Sequence, residues 1–185
     1  MNAMNFLIST LFDLYIMVVL LRIWLQAARA DFYNPFSQFI VKATQPVVAP
    51  LRRIIPSLGS IDLATLLFAY VLCVVKFVAI IMIASSGNAV LDPTFLLLGL
   101  LSLLKAAGGL LFWVLLLRAI LSWVSQGRSP IEYVFVQLTE PMLAPIRRLL
   151  PPMGGFDLSV LVLFIVLQFA NFLMGDFVGP VWFQL

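Results

Sequence analysis

Arg22 and Arg118 occupy matched places in two halves of a very apolar chain, each near the end of a hydrophobic run. Asp62 and Asp157 are matched in the same way, each at the start of the next run. Ionisable groups inside a membrane are costly, so each needs a partner or a function. Each arginine is therefore expected to pair with the aspartate of its own half, as a staple for the hairpin or as a functional pair. Asp13, Lys76 and Lys105 have no such counterparts. An Asp13–Lys76 pair would offset a burial cost of about 2.5–3.5 kcal/mol per charge. A polar path for an ion through these three residues is the sharper reading, yet no row of Asp, Glu, Ser, Thr or Asn lines any hydrophobic run. A third group is basic: Lys42 and the doublets Arg52-Arg53 and Arg147-Arg148. Cations of this kind near a membrane surface gain about 1 kcal/mol each from anionic headgroups. The simpler reading makes them topology anchors.

Other chemistries lack their residues. The chain has no histidine and one cysteine, Cys73. Histidine-based acid/base catalysis, a structural disulfide and the usual zinc or haem ligation are thereby excluded. No P-loop, no dinucleotide fingerprint and no metal-spaced cluster is present. No cofactor or metal is expected, and the protein is not expected to be an enzyme. Cys73 lies in an apolar run and reads as a small buried hydrophobe.

The elements that must hold these charges are membrane helices. Of the 185 residues, 63% are hydrophobic and 10% charged, against about 45–50% and 25% in soluble domains. Four stretches reach the roughly 20 apolar residues that a bilayer core requires: Met4–Ala28, Ile61–Ala84, Phe95–Val124 and Phe156–Met174. The N-terminus carries no Lys or Arg, unlike a secretory signal. The third stretch is long enough to tilt, or to break at Gly99 or at Gly108-Gly109. Its alternative is a short re-entrant piece over Phe95–Leu104 followed by a span from Ala106. Arg29, Lys42, Arg52 and Arg53 lie between the first two spans, and Arg128, Arg147 and Arg148 between the last two. The positive-inside rule makes both segments cytoplasmic, with both termini outside.

The chain repeats itself. Thr44–Leu63 aligns without gaps on Thr139–Leu158 with ten of twenty positions identical. The unit is span, basic segment, span, over residues 1–90 and again over 91–185. Two spans return the chain to its starting side, so the repeats are parallel, unlike the inverted pairs of many transporters. Within the first basic segment Phe36, Phe39, Ile40, Ala43, Val47, Val48, Leu51, Ile54 and Ile55 follow one helix face. Their counterparts in the second segment are all apolar. Pro46 and Pro50 remove backbone donors. That predicts one helix from Pro35 to about Thr44 and a second short one starting at Pro50. The result is an amphipathic element in the membrane interface, apolar face inward and arginines toward headgroups. Gly175 and Gly179 form a weak G-x-x-x-G dimerisation signal.

The doubled pattern P-x-x-[AG]-P-[LI]-R-R-x-x-P-x-x-G-x-[IF]-D, with Leu-Arg ending the preceding span, resembles the YggT family of bacterial inner-membrane proteins. That family includes the YlmG proteins of Gram-positive bacteria and plastid relatives. The phrases LRIWLQ, DFYNPFSQFIVKATQP, FWVLLLRAILSWVSQGRSPIEYV and PIRRLLPPMGG carry the resemblance over nearly the whole chain. It implies a role near osmotic-shock protection and potassium uptake, or near division and the cell wall. For the plastid branch it implies assembly of a membrane cytochrome complex. It brings no catalytic residues.

The sequence thus predicts an all-α protein of the bacterial inner membrane, with two parallel-repeat helical hairpins, four transmembrane helices and two cytoplasmic interfacial elements. Its expected role is that of a non-enzymatic scaffold or assembly factor, and the alternative is a small transport-related protein. Expected partners are the bilayer, its anionic headgroups and other inner-membrane proteins; self-association is compatible with the sequence. Nucleic acid is not an expected partner, because no soluble domain or aromatic interleaving accompanies the basic residues.

Overall fold

The computed structural model describes residues 3–59, 61–85, 92–124, 129–149 and 158–185. Among these residues seven helices follow one another: α1 (Ala3–Ala27), α2 (Pro35–Arg52), α3 (Leu63–Ala84), α4 (Thr94–Val124), α5 (Pro130–Leu149), α6 (Leu158–Val178) and α7 (Val181–Gln184). Among the described residues the only β pairing is an isolated bridge between Leu58 and Ile61. Among the described residues four helices are long and apolar enough to cross a membrane: Ala3–Ala27, Leu63–Ile83, Thr94–Ser122 and Leu158–Val178. The protein is a multi-pass, all-α membrane protein built from two copies of a span, shorter helix, span unit.

α4 is one continuous helix of 31 residues. It neither breaks at its glycines nor begins with a separate re-entrant piece. A glycine inside a helix costs about 1 kcal/mol relative to alanine, which the packing of a long apolar helix outweighs. Gly99 is needed for contact: a Cβ there would meet Val74 Cγ2 of α3 at 2.4 Å.

α2 and α5 also differ from expectation. Each continues through two prolines, Pro46 and Pro50 in α2 and Pro141 and Pro145 in α5. In α2 the residues Lys42, Pro46 and Pro50 are four apart and all exposed. The carbonyls that lose their helical donors, those of Lys42 and Pro46, therefore lie on the outward stripe, where other donors can reach them. The inward stripe carries Ser37, Ile40, Thr44 and Val48, all buried. The predicted apolar face is split: Ile40 and Val48 pack inside, while Phe39 and Ile54 remain 62% and 81% exposed.

Asn34 starts α2 and ties it to the second repeat. Its side-chain oxygen accepts from the Phe36 amide at 2.9 Å, and its amide nitrogen donates to the Pro130 carbonyl at 2.6 Å. The Asp31 amide donates to Gln137 Oε1 at 3.1 Å, and the Phe36 and Phe135 rings meet at a tilt of 55° with centroids 5.5 Å apart. α2 and α5 therefore lie together at one end of the bundle. The main core follows from this arrangement, because Ile16, Val19 and Leu25 of α1, Ile40 of α2, Cys73 of α3 and Val134 and Leu138 of α5 form one buried cluster.

The two hairpins are packed unequally. α1 and α3 pair extensively, and α4 leans on α3 and α1. α6 touches α4 over a shorter stretch and otherwise packs on α5 and α7. Past α6 the chain turns back at Gly179, φ +84°, and Phe183 fits where a Cβ on Gly175 would stand at 2.4 Å. The two glycines of the G-x-x-x-G pattern thus serve this turn within the chain.

Candidate functional site

The two span arginines perform the same task in the two repeats. Arg22 is 4% exposed. Its Nη1 donates to Thr44 Oγ1 at 2.6 Å and to the Val41 carbonyl at 3.2 Å, and its Nη2 donates to Gln45 Oε1 at 2.7 Å. Arg118 donates through Nη1 to Thr139 Oγ1 and through Nη2 to Glu140 Oε2 at 3.1 Å. Both threonines are fully buried. Each spends its own proton on the carbonyl four residues back, Ile40 at 2.8 Å and Phe135 at 2.7 Å. That leaves the hydroxyl oxygen as an acceptor for the guanidinium. The planar fork of arginine suits two such acceptors one residue apart. Each arginine is thus a latch that holds the basic helix against the preceding span.

This corrects the expected pairing of Arg22 with Asp62. α2 runs unbroken past the end of α1, so its Thr44-Gln45 pair reaches Arg22 directly. Asp62 is paired instead with Arg52, whose Nε and Nη2 lie 2.8 and 2.5 Å from Oδ2. The same Arg52 donates to Gln26 Oε1 at 2.7 Å. In the second repeat Arg147 binds Glu140 Oε1 at 2.8 Å, so Glu140 bridges the latch arginine and the doublet arginine. Asp157, the expected partner of Arg118, lies outside the described residues. Thr44, Thr139, Gln45 and Glu140 were missed as partners. The signal was available: Thr44 and Thr139 are among the identical repeat positions, and each is flanked by apolar residues one helical turn away, Ile40 and Val48, and Phe135 and Leu143.

The doublets therefore divide their work. Arg52 and Arg147 are held within the protein. Arg53, Arg148 and Lys42 are exposed and have no side-chain partner among the described residues.

Asp62 is fully buried and also caps α3, accepting from the Thr65 amide at 3.3 Å and from its hydroxyl. Burial alone would raise its carboxyl; the hydrogen bonds from Arg52 and Thr65 outweigh this and hold it below the ordinary aspartate value. A depressed folded pKa contributes stability that is complete above the unfolded value, about 3.9, and is lost as pH falls through the folded value. Thermal melts in detergent should therefore show wild type losing stability below about pH 4, with D62N lower at neutral pH and flatter across that window. Parallel curves for the two proteins would contradict the assignment.

The family model described as CCB3/YggT matches the chain twice, over residues 1–83 and 97–178. Each match contains one latch arginine and one arginine doublet. The chain belongs to the CCB3/YggT family. A Vibrio alginolyticus protein, named for its position in the proC 3′ region, is 82% identical over 185 residues, all of both chains. The protein of Escherichia coli K12 named YggT is 56% identical over 171 residues, 92% of this chain and 88% of its own. A Haemophilus influenzae relative is 43% identical over 175 residues, covering 95% and 93% of the two chains. No solved structure matches the chain.

Four further charges lie in the spans of this CCB3/YggT chain: Asp13, Lys76, Lys105 and, near the end of α6, Asp176. Lys76 Nζ is 2.8 Å from Asp13 Oδ1, and the two side chains are 4% and 41% exposed. Ser9 donates to the other Asp13 oxygen at 3.2 Å. Lys105 is within electrostatic range of both Asp13 and Lys76 but pairs with neither. It donates to the Trp182 carbonyl at 2.6 Å and lies 5.7 Å from the centroid of that indole ring. Among the described residues no group of three or more His, Cys, Asp or Glu is placed to hold a metal ion.

Proposed function

We propose that this CCB3/YggT protein is a non-enzymatic scaffold of the bacterial inner membrane. In this reading residues 1–90 and 91–185 are its two repeat units, and α2 and α5 are interfacial amphipathic helices on the cytoplasmic side. The observation that carries it is the division of each doublet. One arginine is spent inside the protein, on Asp62 or Glu140, and the next is exposed with no side-chain partner among the described residues. Two basic helices latched to the spans and joined through Asn34 and Phe36 form a rigid platform. Lys42, Arg53 and Arg148 are its outward cations, suited to anionic headgroups or an acidic face of another membrane protein. The excess of Lys and Arg in these two segments supports their cytoplasmic placement.

The transport-related alternative, with a part in osmotic protection or potassium uptake, draws on Asp13, Lys76 and Lys105. Asp13 and Lys76 neutralise one another and Lys105 is engaged elsewhere, which favours a structural role for them. Photo-crosslinkers at positions 54 and 149 test the scaffold in cells. We expect R53A/R148A to insert and fold as wild type while losing crosslinks to its membrane-protein partner, and R52A/R147A to lose folded yield. Unchanged crosslinks in R53A/R148A, or potassium flux in proteoliposomes that D13A/K76M abolishes, would overturn the reading.

A further inference from the structure

The unequal packing of the hairpins leaves a cleft of about 850 Å³ between the two repeats. That is the size of a small-molecule site, about 300–1,000 Å³. Its walls are almost wholly apolar, with Leu20 and Trp24 of α1 facing Phe112 of α4 and Leu167 of α6. Gly108 and Gly109 add room, since a Cβ at either would meet nothing within 4 Å. The polar groups that line it include Lys105 and Asn171.

Lys105 is level with Asn171, about 10 Å inside the end of α6, within reach of a headgroup drawn into the cleft. α6 has 21 residues, about 31 Å of helix, which spans a bilayer core with nothing to spare. Its C-terminal end therefore lies at the membrane boundary, and the turn that follows brings the Trp182 carbonyl to Lys105. Lys105 forms no ion pair within 4 Å among the described residues; Asp13 acts on it only at longer range and is bonded to Lys76. Asn171 accepts from the Trp182 indole at 2.9 Å through Oδ1, which leaves its amide protons free.

We infer that the cleft between the repeats is a binding site for an anionic phospholipid, with an acyl chain along Gly108 and Phe112 and the phosphate on Lys105 and Asn171. A cation in an apolar intramembrane slot, with the nearest aspartate already bonded to Lys76, calls for a counter-charge, and a phospholipid supplies both the charge and the chain. This site is separate from Arg53 and Arg148, so it stands or falls independently of the scaffold reading.

Nanodiscs holding the full chain, with photoactivatable phosphatidylglycerol or phosphatidylcholine of matched chains, test it. Phosphatidylglycerol should label residues 104–112 and 167–174 about fivefold more than phosphatidylcholine, the preference one lysine near a membrane surface supports. K105Q should equalise the two lipids, and G108L should reduce labelling by both. Equal labelling of wild type by the two lipids, or an undiminished preference in K105Q, would overturn the site. If K105Q fails to fold, the wild-type comparison still decides.

Discussion

Arg22→Ala should detach α2 from α1 and produce the largest loss of folded protein among single substitutions in the first repeat. Three hydrogen bonds from one guanidinium disappear at once. Hydrogen bonds to charged groups contribute about 1.5–3 kcal/mol each in soluble proteins, but interhelical ones in membranes average about 0.6. Arg22 is buried at the helix junction, between those two settings, so a total of about 2–4 kcal/mol is expected. Thr44→Val should cost about 1 kcal/mol, since it removes one acceptor and keeps the shape. Arg22→Lys should fall between them, because an ammonium cannot span Thr44 and Gln45 as a planar fork does. The second repeat offers an internal control. Arg118→Ala leaves Glu140 still held by Arg147, so its cost should be smaller than that of Arg22→Ala. Melting temperature in detergent and fluorescence-detected size exclusion measure all four. An Arg22→Ala protein as stable as wild type would remove the latch from the account.

How much of this was legible beforehand depended on whether the signal was periodic or local. The spans and the repeat are written in long apolar runs and in identical spacing, which a sequence displays directly. The latch was half legible: Arg22 and Arg118 stand out as charges in spans, and the identity of Thr44 with Thr139 marks the acceptor. The pairing came out wrong because it was chosen by charge. Asp62 is the obvious counter-ion for Arg22, yet a threonine hydroxyl whose proton is already committed proved the nearer acceptor. The prolines misled for a related reason. Pro46 and Pro50 look like breaks until their four-residue spacing is seen to put both on the outward stripe, where the orphan carbonyls need no helical donor. The cleft was not legible at all. It arises because α4 leans on α3 and α1 and leaves α6 loosely attached, a choice between partners that repeat symmetry does not encode.

The Asp13–Lys76 pair should show strong non-additivity. Asp13→Ala leaves a buried ammonium inside a span with only the Phe77 ring, 5.6 Å from Nζ, in attendance among the described residues. A cation–π contact contributes about 0.5–2 kcal/mol, whereas breaking a buried ion pair by removing one partner costs about 3–5 kcal/mol. Lys76→Met should cost less. The remaining carboxylate belongs to the more exposed partner and keeps Ser9 as a donor. Combining the two removes both charges, and replacing a buried pair by apolar groups is often neutral. D13A/K76M should therefore recover most of the melting temperature lost in D13A. The same double variant separates structure from transport, since a pair that only offsets its own burial leaves cells with wild-type tolerance of an osmotic downshift. A double variant no more stable than D13A would mean that the two charges do not neutralise one another in the membrane.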